Sequence, residues 1–150
     1  MCYEYNKTYD FTVNASFGDL PQDLINTMFQ DGRVASKFLE NHLPYWFTDL
    51  EFVDAKGYDH VNKDTGRKLD AKCFTKGGLG YAPSAMVGAG RKIDLHEAHS
   101  HADTIDYIAC DVVEFPKVRI RFVKGSDLVK NYPNKGCKVP FKDRDNFFAN

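Results

Sequence analysis

The stretch of residues 57–74 constrains the fold most, because it predicts a β-hairpin. Its middle, residues 62–66, reads Asn-Lys-Asp-Thr-Gly and favours a turn, since Asn, Asp and Gly tolerate the backbone angles that reverse a chain. Strand side chains alternate between faces, so Asp70 and Lys72 share one face, and Asp59 lies near the start of the partner strand. The hairpin therefore predicts two carboxylates and an ammonium on one side of a small sheet.

These three side chains suit the cleavage of a phosphodiester. The carboxylates of Asp59 and Asp70 can hold a hard cation such as Mg²⁺, which takes a phosphate oxygen as a further ligand. The Lys72 ammonium can orient or deprotonate the attacking water, or neutralise charge on the phosphate. A surface hairpin that carries ordinary charges is the alternative.

The order Asp59, then Asp70-Ala-Lys72, resembles the motif of the PD-(D/E)xK nuclease superfamily. Tyr58 stands where that motif has its proline, which is not a ligand. The resemblance implies a restriction-endonuclease-like α/β fold, with a central mixed β-sheet of about five strands flanked by helices. It also implies an Mg²⁺-dependent endodeoxyribonuclease, in which Mn²⁺ can substitute and in-line attack leaves a 5′-phosphate.

Two helices are predicted before the hairpin. The first begins near Pro21, and the second runs from about Arg33 to His42 and is ended by Pro44. In the resembling superfamily, a helix just before the sheet often supplies an acidic residue that binds metal or water. Glu40 is the matching candidate, and an ordinary glutamate at the edge of the apolar stripe is the equal alternative.

The remaining apolar patterns predict further strands and one short helix. Residues 5–16 form either an edge strand or an arm that packs on a partner subunit. Alternation or β-branched residues predict strands at 49–55, 104–113 and 117–123, and a helix follows at 125–132.

A glycine-rich stretch, residues 75–92, follows the hairpin and is expected to be flexible. It matches neither of the glycine motifs that bind nucleotides. Its basic residues Lys76, Arg91 and Lys92 are candidate contacts to DNA, because backbone amides approach phosphates closely in such loops. A plain linker is the alternative.

The segment 96–103 holds three histidines and an aspartate, His96, His99, His101 and Asp103. These are zinc-ligand types, so a zinc-binding hydrolase or a zinc-stabilised module is the rival hypothesis. The H-E-x-x-H spacing that puts two histidines on one helical face is missing. We therefore favour DNA contacts through His99 and His101, or a plain surface role.

Length and composition fit one nuclease domain spanning residues 1–150, with a core over about 20–132 and a basic tail over 133–150. No apolar run is long enough to span a membrane, and no hydrophobic signal core opens the chain, so we expect a cytoplasmic protein. The four cysteines are scattered and are expected to be reduced.

Charge is unevenly distributed along the chain. The net charge is −1, yet residues 117–145 carry nine Lys or Arg against three Asp. A basic end fits contact with the DNA backbone, and a solvated tail is the alternative. Because cutting two strands needs two sites, the nuclease hypothesis includes a homodimer or a higher symmetric oligomer. A non-catalytic nucleic-acid-binding protein is a third hypothesis.

Overall fold

The computed structural model describes all 150 residues as eight strands and five α-helices. The strands are β1 (Thr8–Thr12), β2 (Leu50–Ala55), β3 (Tyr58–Asn62), β4 (Lys68–Phe74), β5 (Leu79–Gly80), β6 (Asp106–Asp111), β7 (Lys117–Lys124) and β8 (Lys138–Val139). The helices are α1 (Gln22–Met28), α2 (Gly32–Trp46), α3 (Leu95–Ala102), α4 (Gly125–Asn131) and α5 (Arg144–Phe147). Two short 3₁₀ turns are formed by Ser84–Met86 and Phe141–Asp143.

Six strands form one mixed sheet in the order β1-β7-β6-β4-β3-β2, and β5 and β8 form a separate pair. β4 and β6 run parallel, whereas the other neighbours in the large sheet are antiparallel. A parallel pair needs a long crossover, which the chain between β4 and β6 supplies. The predicted α/β class with a mixed central sheet is confirmed. The sheet has six strands because part of residues 5–16 pairs with β7 as an edge strand.

The sheet is buried on both faces, and β6 lies at its centre. All six residues of β6 are buried, as expected for a central strand. On one face, Leu39 and Leu43 of α2 pack over Leu69 and Ile108. The opposite face is covered by α3, α4 and the C-terminal segment. Strand β4, which carries the Asp-x-Lys triplet, is therefore held between two apolar layers.

Helix α2 extends beyond the predicted end. Pro44 lies inside its last turn, and the helix continues to Trp46. A proline inside a helix crowds the carbonyl four residues earlier, here that of Glu40, and cannot donate a hydrogen bond to it. His60 Nε2 lies 2.8 Å from that carbonyl oxygen and replaces the missing donor. The prediction that Pro44 ends the helix is wrong because a side chain from β3 satisfies the freed carbonyl.

The expected basic tail over residues 133–150 is folded onto the sheet. Cys137, Val139 and Phe148 are almost fully buried in the second core, so this segment is not an extended tail. Thr8 of β1 donates its hydroxyl to the Phe148 carbonyl at 2.7 Å and its N–H to Asn150 Oδ1 at 2.8 Å. The packed core consequently extends past both ends of the expected range 20–132.

The glycine-rich stretch 75–92 is likewise more ordered than expected. Leu79 and Tyr81 are fully buried, and β5 pairs with β8. Gly78 has φ of +84°, and a Cβ there would lie 2.3 Å from the Val139 carbonyl oxygen, so the close pairing requires glycine. The histidine segment that follows lies mostly on helix α3, whose N-cap Asp94 accepts a hydrogen bond from the Glu97 N–H. No helix of the chain combines the length and apolar character needed to cross a bilayer.

Candidate active site

The β3–β4 hairpin opens at the end that carries the acidic residues. The two strands pair through His60 with Leu69 and Val61 with Lys68, and they separate beyond those positions. Asp59 fills the opening, where its Oδ1 accepts a hydrogen bond from the Ala71 N–H at 3.1 Å. A side chain thus replaces the missing strand partner, and the Asp59 carboxylate is fixed between the strands.

Asp70 and Lys72 lie together on β4, as the alternation predicted. Lys72 Nζ is 3.2 Å from Asp70 Oδ2 and also donates to the Ala82 carbonyl at 3.4 Å. Burial raises the pKa of the Asp70 carboxyl to about 6; Lys72 opposes this rise and the nearby Asp59 carboxylate adds to it. Asp70 is therefore a carboxylate whose charge is poorly compensated within the protein.

Glu40 reaches the same place from helix α2. Its Oε2 is buried and has no hydrogen-bond partner, and the nearest ammonium, that of Lys37, is 3.6 Å away. Burial raises the pKa of Glu40, and the charge of Asp59 raises it further. A buried carboxylate oxygen without a hydrogen-bond donor destabilises the folded state, and a bound cation is one partner that would satisfy it.

These side chains share a cavity of about 580 Å³ between the open hairpin, α2, α3 and the 3₁₀ turn Ser84–Met86. Glu40, Asp59, Asp70 and Lys72 all line it. The structure therefore brings together the four residues predicted to be catalytic. The hairpin side chains Asp59, Asp70 and Lys72 therefore face one cavity and do not point to separate surfaces.

Helix α3 adds two side chains to this cavity, Glu97 and His101, which lie one helical turn apart. His101 Nε2 is 3.2 Å from the Gly57 carbonyl oxygen, so it also joins α3 to the turn before β3. The sequence reasoning missed Glu97, although its i, i+4 spacing from His101 was a signal that both face one way. The sequence reasoning also missed His60, whose ring contacts Asp59 directly.

The other predicted DNA contacts lie at different places. Arg91 is exposed and donates to the Ser84 and Val87 carbonyls, which places it beside the loop that lines the cavity, and the exposed Lys92 follows it. Lys76 lines a separate depression near the start of α2. His99 Nε2 is 3.4 Å from the Tyr81 hydroxyl, so this histidine packs away from the cavity.

The histidines of α3 do not form a shared site. His99 and His101 contact different elements, and nowhere in the chain do three or more His, Cys, Asp or Glu side chains form a ready metal-ligand group. A structural zinc site needs four such ligands, whereas Mg²⁺ is held by one or two carboxylates and keeps several waters. The cavity offers carboxylate oxygens and a partnerless Glu40 Oε2, a donor set that fits a hard cation.

Similarity to known proteins adds no information about this cavity. Comparisons with protein-family models, with curated proteins and with solved structures find no match to this chain.

Proposed function

We propose that the protein is an Mg²⁺-dependent endodeoxyribonuclease of the restriction-endonuclease-like type. The observation that carries this proposal is the convergence of Glu40, Asp59, Asp70 and Lys72 on one cavity at the open end of a hairpin. The PD-(D/E)xK resemblance supports the same assignment, and the mixed sheet with helices on both faces is compatible with it.

Each residue has a role that follows from its position. Asp59 and Asp70 would hold Mg²⁺, or Mn²⁺ in its place, with Glu40 as an outer ligand, and the cation would supply Lewis acidity and orient a phosphate oxygen. The Lys72 ammonium is held by Asp70 and the Ala82 carbonyl. From there it orients the attacking water and neutralises charge on the phosphate.

DNA contact is proposed for the rim of the cavity. Arg91 and Lys92 extend from the loop that lines it, and His101 lies on its wall. These groups would contact DNA phosphates and not the bases, so they add affinity for DNA that falls as the salt concentration rises and does not depend on sequence. Lys76 and His99 remain predicted contacts, outside the cavity. In-line attack leaves a 5′-phosphate, and a homodimer would bring two such sites to a duplex.

The test is incubation of the purified protein with plasmid and branched DNA in the presence and absence of Mg²⁺. We expect cleavage that needs the metal and is lost in Asp70→Asn and Lys72→Ala. Asp64→Asn and Lys63→Ala are matched controls, because both residues are exposed in the turn of the same hairpin. Cleavage that survives Asp70→Asn, or salt-sensitive DNA binding without any cleavage, would contradict the proposal.

A further inference from the structure

His60 is the one fully buried histidine of the chain, and both of its ring nitrogens are engaged. Nδ1 is 2.7 Å from Asp59 Oδ1, and Nε2 is 2.8 Å from the Glu40 carbonyl oxygen. One ring therefore joins strand β3 to helix α2 at the two residues that bring carboxylates to the cavity.

The acceptors determine where the ring protons lie. A carbonyl oxygen only accepts, so His60 Nε2 carries a proton and donates it to Glu40. Nδ1 lies against Asp59 Oδ1, so the second hydrogen bond of the ring is made with that carboxyl group. Pro44 has no N–H, so no helical donor from position 44 competes for the Glu40 carbonyl.

We infer that His60 is a positioning residue, which orients the Asp59 carboxylate for a divalent cation and ties it to the helix of Glu40. This inference rests on the proposed nuclease function. Asp59 Oδ1 is hydrogen-bonded to His60 Nδ1 and accepts from the Ala71 N–H, so both of its partners belong to the chain. The second oxygen, Oδ2, takes part in neither of these bonds and is left for a ligand in the cavity, which the neighbouring Asp70 carboxyl also lines.

Two neutral variants separate this role from simple packing. The amide nitrogen of asparagine reaches the position of Nδ1, so His60→Asn can keep the bond to Asp59. The longer glutamine places its nitrogen near Nε2, so His60→Gln can keep the bond to the Glu40 carbonyl and loses the bond to Asp59. Both variants bury one amide in the same space, so each controls for the packing defect of the other.

Metal affinity is measured without DNA, by calorimetric titration of each protein with Mg²⁺, and thermal melting without metal reports folding. We expect His60→Gln to weaken Mg²⁺ binding by about 10- to 100-fold, the usual effect of removing a group that orients a metal ligand. His60→Asn should lose several times less. Excess Mg²⁺ should restore the cleavage rate of His60→Gln towards the wild-type rate, because the variant weakens metal binding and leaves Lys72 in place.

A measurement on the wild-type protein guards against variants that do not fold. The hydrogen-bonded N–H protons of a fully buried histidine ring are observable by NMR, and addition of Mg²⁺ should shift the signal of the proton between Nδ1 and Asp59. The carbon-bound ring protons of the exposed His96, which do not exchange with water, serve as the reference. A signal of the proton between Nδ1 and Asp59 that does not respond to Mg²⁺ would overturn the inference.

The outcomes distinguish this inference from the function on which it rests. A wild-type protein that neither binds Mg²⁺ nor cleaves DNA overturns both. A wild-type protein that does both, with equal Mg²⁺ affinity in His60→Gln and His60→Asn, overturns the positioning role alone and leaves the nuclease proposal standing.

Discussion

Replacing Asp70 with asparagine should stabilise the fold in the absence of metal, although it would abolish the proposed DNA cleavage. Burial and the Asp59 charge raise the pKa of Asp70 from its usual 3.8 to about 6, against the opposing effect of Lys72. Ionised Asp70 therefore disfavours the folded state at neutral pH, and asparagine has nearly the same shape without the charge.

The size of the effect follows from the pKa difference. Each unit corresponds to about 1.4 kcal/mol, so ionisation of Asp70 costs the native state about 3 kcal/mol. The pKa of about 6 already includes the favourable effect of the Lys72 ammonium, so the expected net gain is also about 3 kcal/mol. For a domain of this length, such a gain raises the melting temperature by about 6–12 °C.

The sign of the pH dependence is fixed by the direction of the pKa change. A folded-state pKa above the unfolded value means that the penalty is complete above pH 6 and fades as pH falls towards 3.8. The advantage of Asp70→Asn at pH 4.5 should therefore be about one third of that at pH 7.5.

The assay is thermal melting of both proteins in EDTA at the two pH values, with Asp64→Asn as the control in the exposed turn. EDTA matters because a bound cation would relieve the charge of Asp70 and remove the difference. A variant that melts at or below the wild-type temperature at pH 7.5 would refute the reasoning, as would a gain that is equal at both pH values.

Three further predictions concern parts of the fold away from the cavity. Arg67→Ala should lower stability by about 2 kcal/mol in urea unfolding, because it leaves the fully buried Asp106 without its guanidinium while a tyrosine hydroxyl still donates to it. An unchanged urea midpoint would contradict this. Gly78→Ala should melt well below the wild-type temperature, since its Cβ would overlap a carbonyl of β8 at a left-handed backbone position. In native thiol labelling, the exposed Cys2 should react quickly and Cys73 slowly, because burial raises the pKa of Cys73 to about 12; equal rates would contradict this.

The hairpin and its site were predictable because they depend on local rules. Turn residues at 62–66 and the alternation of β4 place Asp70 and Lys72 on one face whatever the rest of the chain does. The position of Glu40 on a helix before the sheet was likewise readable from the apolar stripe. What periodicity cannot show is that α2 lies across the open end of the hairpin, where Glu40 approaches Asp59.

The features that the sequence did not reveal depend on contacts between distant segments. Pro44 is tolerated inside α2 because His60, on a strand that follows it, occupies the freed carbonyl. The C-terminal stretch is polar enough to resemble a tail, yet Cys137, Val139 and Phe148 reach a core formed by other elements. Hydrophobic periodicity shows which face of a helix or strand is apolar. It does not predict which distant element a few scattered apolar residues pack against.

The tie between Thr8 and the last residues makes the two ends of the chain interdependent. These contacts join positions 140 and 142 residues apart in the sequence. Loss of the final residues would loosen β1 and leave the edge of β7 unpaired, where another chain can add a strand. Removal of residues 148–150 is thus expected to appear first as self-association of the protein, because the cavity lies beside β3 and β4, at the other end of the strand order.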